Sequence, residues 1–261
     1  MKSLRWAYAL VGVACLGVSC TEQEAPKPLF ETELSEITSA TDGATTITLY
    51  ADEPFFVGFN QVTAKIENAN GELLSGEALV TPLMDMMTMR HACPMEFPNG
   101  FQFVDGRFEF NAVFVMPSGD MGNWSLTFAV NGDTLAVPVT VVQPARARLA
   151  SFVSTQDQTS KYFVALIDPG APQVGENVME IGVFKKQTMM DWPAVEDLTI
   201  AMQPWMPSMD HGSPNNVDPV HQAAGHYLGK VNFTMTGEWQ LRLSISESGL
   251  LIGEPLFDII L

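Results

Sequence analysis

The run Arg107-Phe-Glu-Phe-Asn-Ala-Val-Phe-Val-Met116 sets Phe110, Ala112 and Phe114 on one side of an extended chain and Asn111, Val113 and Val115 on the other. A period of two is the pattern of a strand, since successive side chains point to opposite faces. The next run repeats it: Trp124, Leu126 and Phe128 share one side, and Ser125 and Thr127 take the other. Working outward, further strands are predicted at 46–51, 61–67, 134–142, 148–155, 161–167, 177–185, 227–234, 238–244 and 255–261. Turn signals separate them, among them Asn70-Gly71, Asn99-Gly100, Asp105-Gly106, Asn131-Gly132, Asp168-Pro169-Gly170 and Thr236-Gly237. Many short strands without a long amphipathic helix predict an all-β protein of two tandem immunoglobulin-like β-sandwich domains.

The number two comes from an internal repeat. Setting His91 on His211 brings Met86 onto Met206, Met89 onto Met209 and Pro94 onto Pro214. One residue out of step, Gly106-Arg-Phe falls on Gly225-His-Tyr. Phe114-Val-Met116 then falls on Phe233-Thr-Met235, and Trp124-Ser-Leu is followed by its counterpart Trp239-Gln-Leu. An ordered series of this kind implies one domain used twice, over 36–145 and 146–261, with a seam near Gln143–Arg148.

The first residues point to export. Lys2 and Arg5 precede an uncharged apolar stretch, Trp6 to Ser19, too short for a membrane span. Leu16-Gly-Val-Ser-Cys20 resembles a bacterial lipobox, in which the cysteine receives the lipid; Cys15 is a weaker rival because no polar residue follows it closely. The expected organisation is a lipoprotein signal peptide at 1–19, lipidation at Cys20 and a polar tether over 20–35. The mature chain would be anchored by its lipid to a membrane of the bacterial cell envelope, periplasmic or surface-exposed. Loss of Lys2 and Arg5 takes the formal charge from −17 to about −19. An acidic surface repels phosphate backbones, so nucleic acid is excluded as a partner. Cys93 is then the one remaining thiol, a reactive group or a soft metal ligand.

Methionine is concentrated in two places. Met84, Met86, Met87, Met89 and Met95 crowd the first copy, and Met202, Met206 and Met209 the second, with His91, His211, His221 and His226 in or just after these stretches. Pro204, Pro207 and Pro214 break any helix across the second loop, and Pro82 and Pro94 bracket the first. Neutral, polarisable thioethers with an imidazole suit Cu(I) and have little affinity for Zn(II), Mg(II) or Ca(II). The candidate metal ligands are Met206, Met209 and His211 in one loop and Met86, Met89 and His91 in the other. Cys93, Met95, His221 and His226 are auxiliary candidates, and Trp205 is placed to cover the ion by a cation–π contact. Met116 and Met235 end strands and read as core, with the alternative that either leans toward its loop; Trp124 and Trp239 read as core. Against all this stands packing, the commonest use of methionine.

The stretch Met206-Pro-Ser-Met209-Asp-His211, then Gly225-His-Tyr227, then Met235-Thr-Gly237-Glu-Trp239, resembles the YtkA-like/FixH-like domain family. That resemblance implies a small β-sandwich of bacterial envelope proteins, associated with copper handling. The first copy departs from the pattern: Met87 replaces the loop proline, Ala92 the glycine, and Pro117–Asn123 lengthens the turn. There is no Gly-x-Ser-x-Gly, phosphate-binding glycine loop, His-Glu-x-x-His or Cys-x-x-Cys, so no enzyme is expected. The reading is a Cu(I)-binding lipoprotein of the envelope, exchanging copper with a donor or acceptor protein; delivery to a respiratory oxidase under assembly is a variant that the FixH-like resemblance allows. The alternative is a structural or interaction module of two sandwiches on a lipid tether.

Overall fold

In the computed structural model, which describes residues 34–261, the chain before Val142 folds as ten strands. They are β1 (Ser35–Thr41), β2 (Thr45–Ala51), β3 (Gly58–Asn68), β4 (Gly76–Asp85), β5 (Arg90–His91), β6 (Met95–Glu96), β7 (Gln102–Phe103), β8 (Arg107–Phe114), β9 (Asn123–Val130) and β10 (Asp133–Val139). Ten more follow: β11 (Leu149–Val153), β12 (Lys161–Asp168), β13 (Gly175–Lys186), β14 (Leu198–Met206), β15 (His211–Gly212), β16 (Val217–Ala223), β17 (His226–Phe233), β18 (Glu238–Glu247), β19 (Leu250–Gly253) and β20 (Leu256–Ile260). A single 3₁₀ turn, Pro207–Met209, interrupts them, and no α-helix occurs among the described residues. The signal segment 1–19, Cys20 and the tether up to residue 33 lie outside the described residues.

The strands form two sandwiches of antiparallel sheets. In the first, the sheet β1-β2-β3-β8-β6 faces β10-β9-β4-β5, with β7 also pairing β4. In the second, β11-β12-β13-β17-β16 faces β15-β14-β18-β19, with β20 pairing β18. Inward-facing residues fill each core. Phe108, Phe110 and Phe114 on β8 meet Trp124, Leu126 and Phe128 on β9, all fully buried. Tyr227, Val231 and Phe233 on β17 do the same with Trp239, Leu241 and Leu243 on β18. Burying each such side chain stabilises by about 1.5–3 kcal/mol before chain entropy is set against it.

Two strands that alternation alone does not mark lead straight into the methionine loops. β4 buries Ala78, Val80, Pro82 and Met84 in strict alternation, and β14 buries Leu198, Ile200, Met202, Pro204 and Met206. Each contains a proline, which argues against a central strand. It is tolerated because β4 pairs β5 only at Met84 and Asp85, and β14 pairs β15 only at Trp205 and Met206. At Pro82 and Pro204 that flank has no ladder partner to lose. The methionines therefore sit on strand ends as well as on loop tips.

The two sandwiches pack through the outer faces of the sheets that contain β3 and β8 in the first and β12 and β13 in the second. Phe59 of β3 and Val113 of β8 cluster with Ala165 of β12 and Phe184 of β13. Ala92, Phe163 and Trp192 form a neighbouring cluster across the same seam. This explains why β8 and β12 are apolar on both sides near their middles. Polar groups pin the seam. Arg148 bonds Glu53 at 3.0 Å and lies 4.7 Å from the Phe56 ring centre. His226 bonds Glu180 of its own sheet at 2.6 Å through Nδ1 and Glu96 of the first sandwich at 2.8 Å through Nε2.

Candidate metal-binding corners

Each sandwich carries, at one end, a corner where a histidine and a tryptophan meet, with methionines on the strand ends and turns around them. The backbone register decides which ones. Met84 pairs with His91 and Met206 pairs with His211, so the strand-end partner of His91 is Met84, where the sequence superposition offers Met86. The first loop is two residues longer, and the extra length shifts the match. Exposed Asp85 and Arg90 pair at 2.8 Å across its base.

The tryptophan organises the corner. Trp124 donates Nε1–H to the Met116 carbonyl at 2.9 Å, and Trp239 donates to the Met235 carbonyl at 3.1 Å. Each bond fixes the chain just after β8 or β17, with a methionine at the turn. The histidine stands edge-on to the same indole: His91 to Trp124 at 5.2 Å and 86°, His211 to Trp239 at 5.8 Å and 85°. Two residues before each tryptophan is a glycine at positive φ. A Cβ on Gly237 would lie 3.2 Å from Met206 Cε, and one on Gly122 would lie 3.0 Å from Met86 Cγ and 2.4 Å from the Asp85 carbonyl oxygen. Gly122 is thus required for close approach of the two loops as well as for its φ of +152°. Gly122→Ala is expected to cost about 1–3 kcal/mol, read by thermal unfolding of the full chain.

The first corner contains an observed contact between candidate donors. His91 Nε2 lies 3.1 Å from Met116 Sδ, while His91 Nδ1 lies 2.8 Å from the Ala92 carbonyl oxygen. A neutral imidazole has one proton for these two acceptors. Placed on Nδ1, where it meets the carbonyl, it leaves the Nε2 lone pair facing a thioether sulfur. A borderline imidazole nitrogen beside a soft thioether sulfur is a donor pair that suits Cu(I).

The candidates fall into three groups. Met86 is half-buried against Gly122, and Met206 is buried and in register with His211. Met89 and Met209 are displayed to solvent, Met209 at 57% exposure on the 3₁₀ turn. The auxiliaries are engaged elsewhere. Cys93 is buried in the first core, where loss of water pushes its thiol pKa up. Met95, on β6, packs on the flank of the same core. His221 lies against the Tyr227 ring at 5.3 Å, its buried Nε2 without a hydrogen-bond partner. His226 has both nitrogens taken by carboxylates. Trp205 pairs with Gly212 on the outer side of β14 and has the Arg242 guanidinium over its ring at 5.2 Å.

Met116, read from the sequence as core, packs against the first core and also reaches His91. The signal for it was present in the second copy, where Met235-Thr-Gly-Glu-Trp239 sets methionine four residues before tryptophan. The lengthened turn Pro117–Asn123 hides that spacing in the first. The Gly-x-Tyr element has a structural explanation. A Cβ on Gly225 would lie 2.7 Å from the Val183 carbonyl oxygen, and the Tyr227 hydroxyl donates to Val195 O while accepting from Leu198 N–H.

The family model described as YtkA-like matches residues 156–244, from the turn before β12 into β18. No curated protein matches the sequence. Among solved structures the chain is similar to domains 5–6 of the S-layer protein SbsC, at 12% identity over 87% of this chain and 97% of that one, with a TM-score of 0.30. It is also similar to the Yersinia pseudotuberculosis adhesin InvE, at 13% identity over 85% of this chain and 60% of that one, TM-score 0.29. A chimeric titin Z1Z2 gives 9% identity, 87% and 97% coverage and a TM-score of 0.20.

Proposed function

We propose that this is an exported lipoprotein that carries Cu(I) on its two histidine–methionine corners and passes it to or from a protein partner in the bacterial cell envelope. The first sandwich is then a diverged copy of the YtkA-like second one, and the lipid on Cys20 holds both at a membrane. The observation that carries this reading is the 3.1 Å approach of His91 Nε2 to Met116 Sδ. The recurrence around Trp239 of an edge-on histidine and of a tryptophan bond to a methionine carbonyl supports it. Copper is cargo here and not a catalytic group. The donors that would hold it are His91, Met116 and Met86 in the first corner and His211, Met206 and Met235 in the second. Met89 and Met209 are exposed donors suited to first contact with an incoming ion.

The competing use of the methionines is packing. Met84 and Met206 lie in the cores, and Met86, Met116 and Met235 pack against them, which is what favours that reading. Titration separates the readings. The mature protein, reduced and under argon, is expected to take about one Cu(I) per corner from a competing chelator. His211→Ala with Met209→Ala is expected to halve that stoichiometry and leave the unfolding midpoint of the second sandwich nearly unchanged, because Met209 is exposed and the half-buried His211 lies outside the core. Uptake unaltered by this pair, with His91→Gln and Met116→Leu also silent, would leave a structural module.

A further inference from the structure

The first corner differs from the second in being roofed by the other sandwich. Residues 187–193, between β13 and β14, form a strap closed on itself: Gln187 N–H and Thr188 N–H donate to Asp191 O at 3.0 and 3.1 Å, and Trp192 Nε1–H donates to Met189 O at 3.2 Å. The same Met189 carbonyl accepts the Ala92 N–H at 2.8 Å, one residue past His91. The Trp192 ring stands 6.3 Å from His91 and 5.0 Å from Phe163, with the Lys186 ammonium 5.4 Å from its centre. Under this roof His91 is only 6% exposed, and Trp192 only 8%. His211 is half-buried, and among the described residues its one ring neighbour is Trp239 of its own sandwich.

We infer that the first corner is a composite site: His91 and Met116 come from one sandwich, and Trp192 from the other closes it. An ion held there exchanges only when the strap lifts, whereas the His211 corner exchanges freely. Met189 and Met190, 41% and 50% exposed on the strap, offer thioethers at its mouth. The nature of the ion rests on the copper reading; the roof does not. The chain would then hold one slow and one fast site for the same soft cation, a division of labour between retention and hand-over.

Two measurements on the full mature chain test this. In metal-free protein, diethyl pyrocarbonate is expected to modify His91 at least tenfold more slowly than His211, mapped by peptide mass. Trp192→Ala is expected to bring His91 close to the His211 rate. Trp192→Phe, which keeps an apolar roof without the bond to Met189 O, is expected to fall between, and it guards against misfolding of the alanine variant. Equal rates for His91 and His211 in the parent protein, or no acceleration in either variant, would overturn the roof. In the second measurement, Cu(I) withdrawn by excess chelator is expected to leave in two phases, the slow one merging with the fast in Trp192→Ala. A single phase at full stoichiometry would also overturn the composite site. A protein that takes up no copper, yet shows the protected His91, would sink the cargo and keep the roof.

Discussion

Trp239→Ala is expected to lower the stability of the second sandwich by about 3–5 kcal/mol and to remove Cu(I) uptake at its corner; Trp124→Ala is expected to do the same for the first. Both indoles are 1% exposed and belong to the two cores, so truncation leaves a large cavity at the end of each sandwich. A stability loss alone says nothing about function, and the informative variant is Trp239→Phe. It retains most of the apolar volume and deletes the Nε1–H bond to the Met235 carbonyl, leaving that acceptor unpaired at a cost of about 1–3 kcal/mol. The turn that carries Met235 then loses its tie, and the face on which His211 stands edge-on shrinks. Copper affinity is expected to drop at least tenfold in a protein that still unfolds cooperatively. Calorimetry and chelator competition on the same preparation check the two halves. Unchanged affinity in a folded Trp239→Phe protein would mean that the indole serves the core and not the corner.

This coupling of core to corner governs how much was legible in the sequence. Strands such as β8 and β9 declare themselves because one face is buried and the other is not, so Phe110 and Phe128 alternate with polar neighbours. β4 and β14 are equally regular, yet Pro82 and Pro204 disguise them, since a proline is silent about whether its strand has a partner on that side. The histidines and loop methionines stand out in the sequence as candidate donors, because each copy sets a histidine two residues after a methionine. Met116 was legible as a strand-end core residue with the option of leaning toward its loop, and it packs against the first core while its sulfur reaches His91. Its sulfur is placed beside His91 by a bond between Trp124 and a backbone carbonyl, and composition carries no trace of a backbone acceptor. The roof over His91 was invisible for a related reason. Trp192 and Ala92 belong to different sandwiches, and periodicity describes one strand at a time. The surplus apolar residues on β12, Phe163 and Ala165, were the only hint that its outer face is covered.

The seam that puts the roof in place is also where pH is expected to act. His226 lies between Glu180 on its own sheet and Glu96 across the seam, and its ring stands edge-on to Phe59 at 5.6 Å. Hydrogen bonds to the two carboxylates, Glu180 first and Glu96 next, raise its pKa from 6.5 to about 9, against the opposing effect of burial. The folded-state value lies above the unfolded one, so the protonated ring stabilises the folded chain. That contribution is complete below about pH 6.5 and is lost as the pH rises through about 9. A shift of this size corresponds to about 3 kcal/mol at most, part of it held within the second sandwich by Glu180 and part across the seam by Glu96. Arg148 and Asp168 line the same cleft, and Arg148 is already paired with Glu53, so neither replaces the lost charge. The full chain is therefore expected to unfold at a lower temperature at pH 10 than at pH 7, and His226→Gln is expected to flatten most of that difference. Glu96→Gln separates the two halves of the clamp. It removes only the bond that crosses the seam, and at neutral pH it is expected to loosen the docking of the two sandwiches while leaving the second one's own unfolding little changed. The strap rides on the same seam, so faster modification of His91 in Glu96→Gln would tie the charge on His226 to the closure of the His91 corner. An unchanged His91 rate would make the clamp a matter of stability alone.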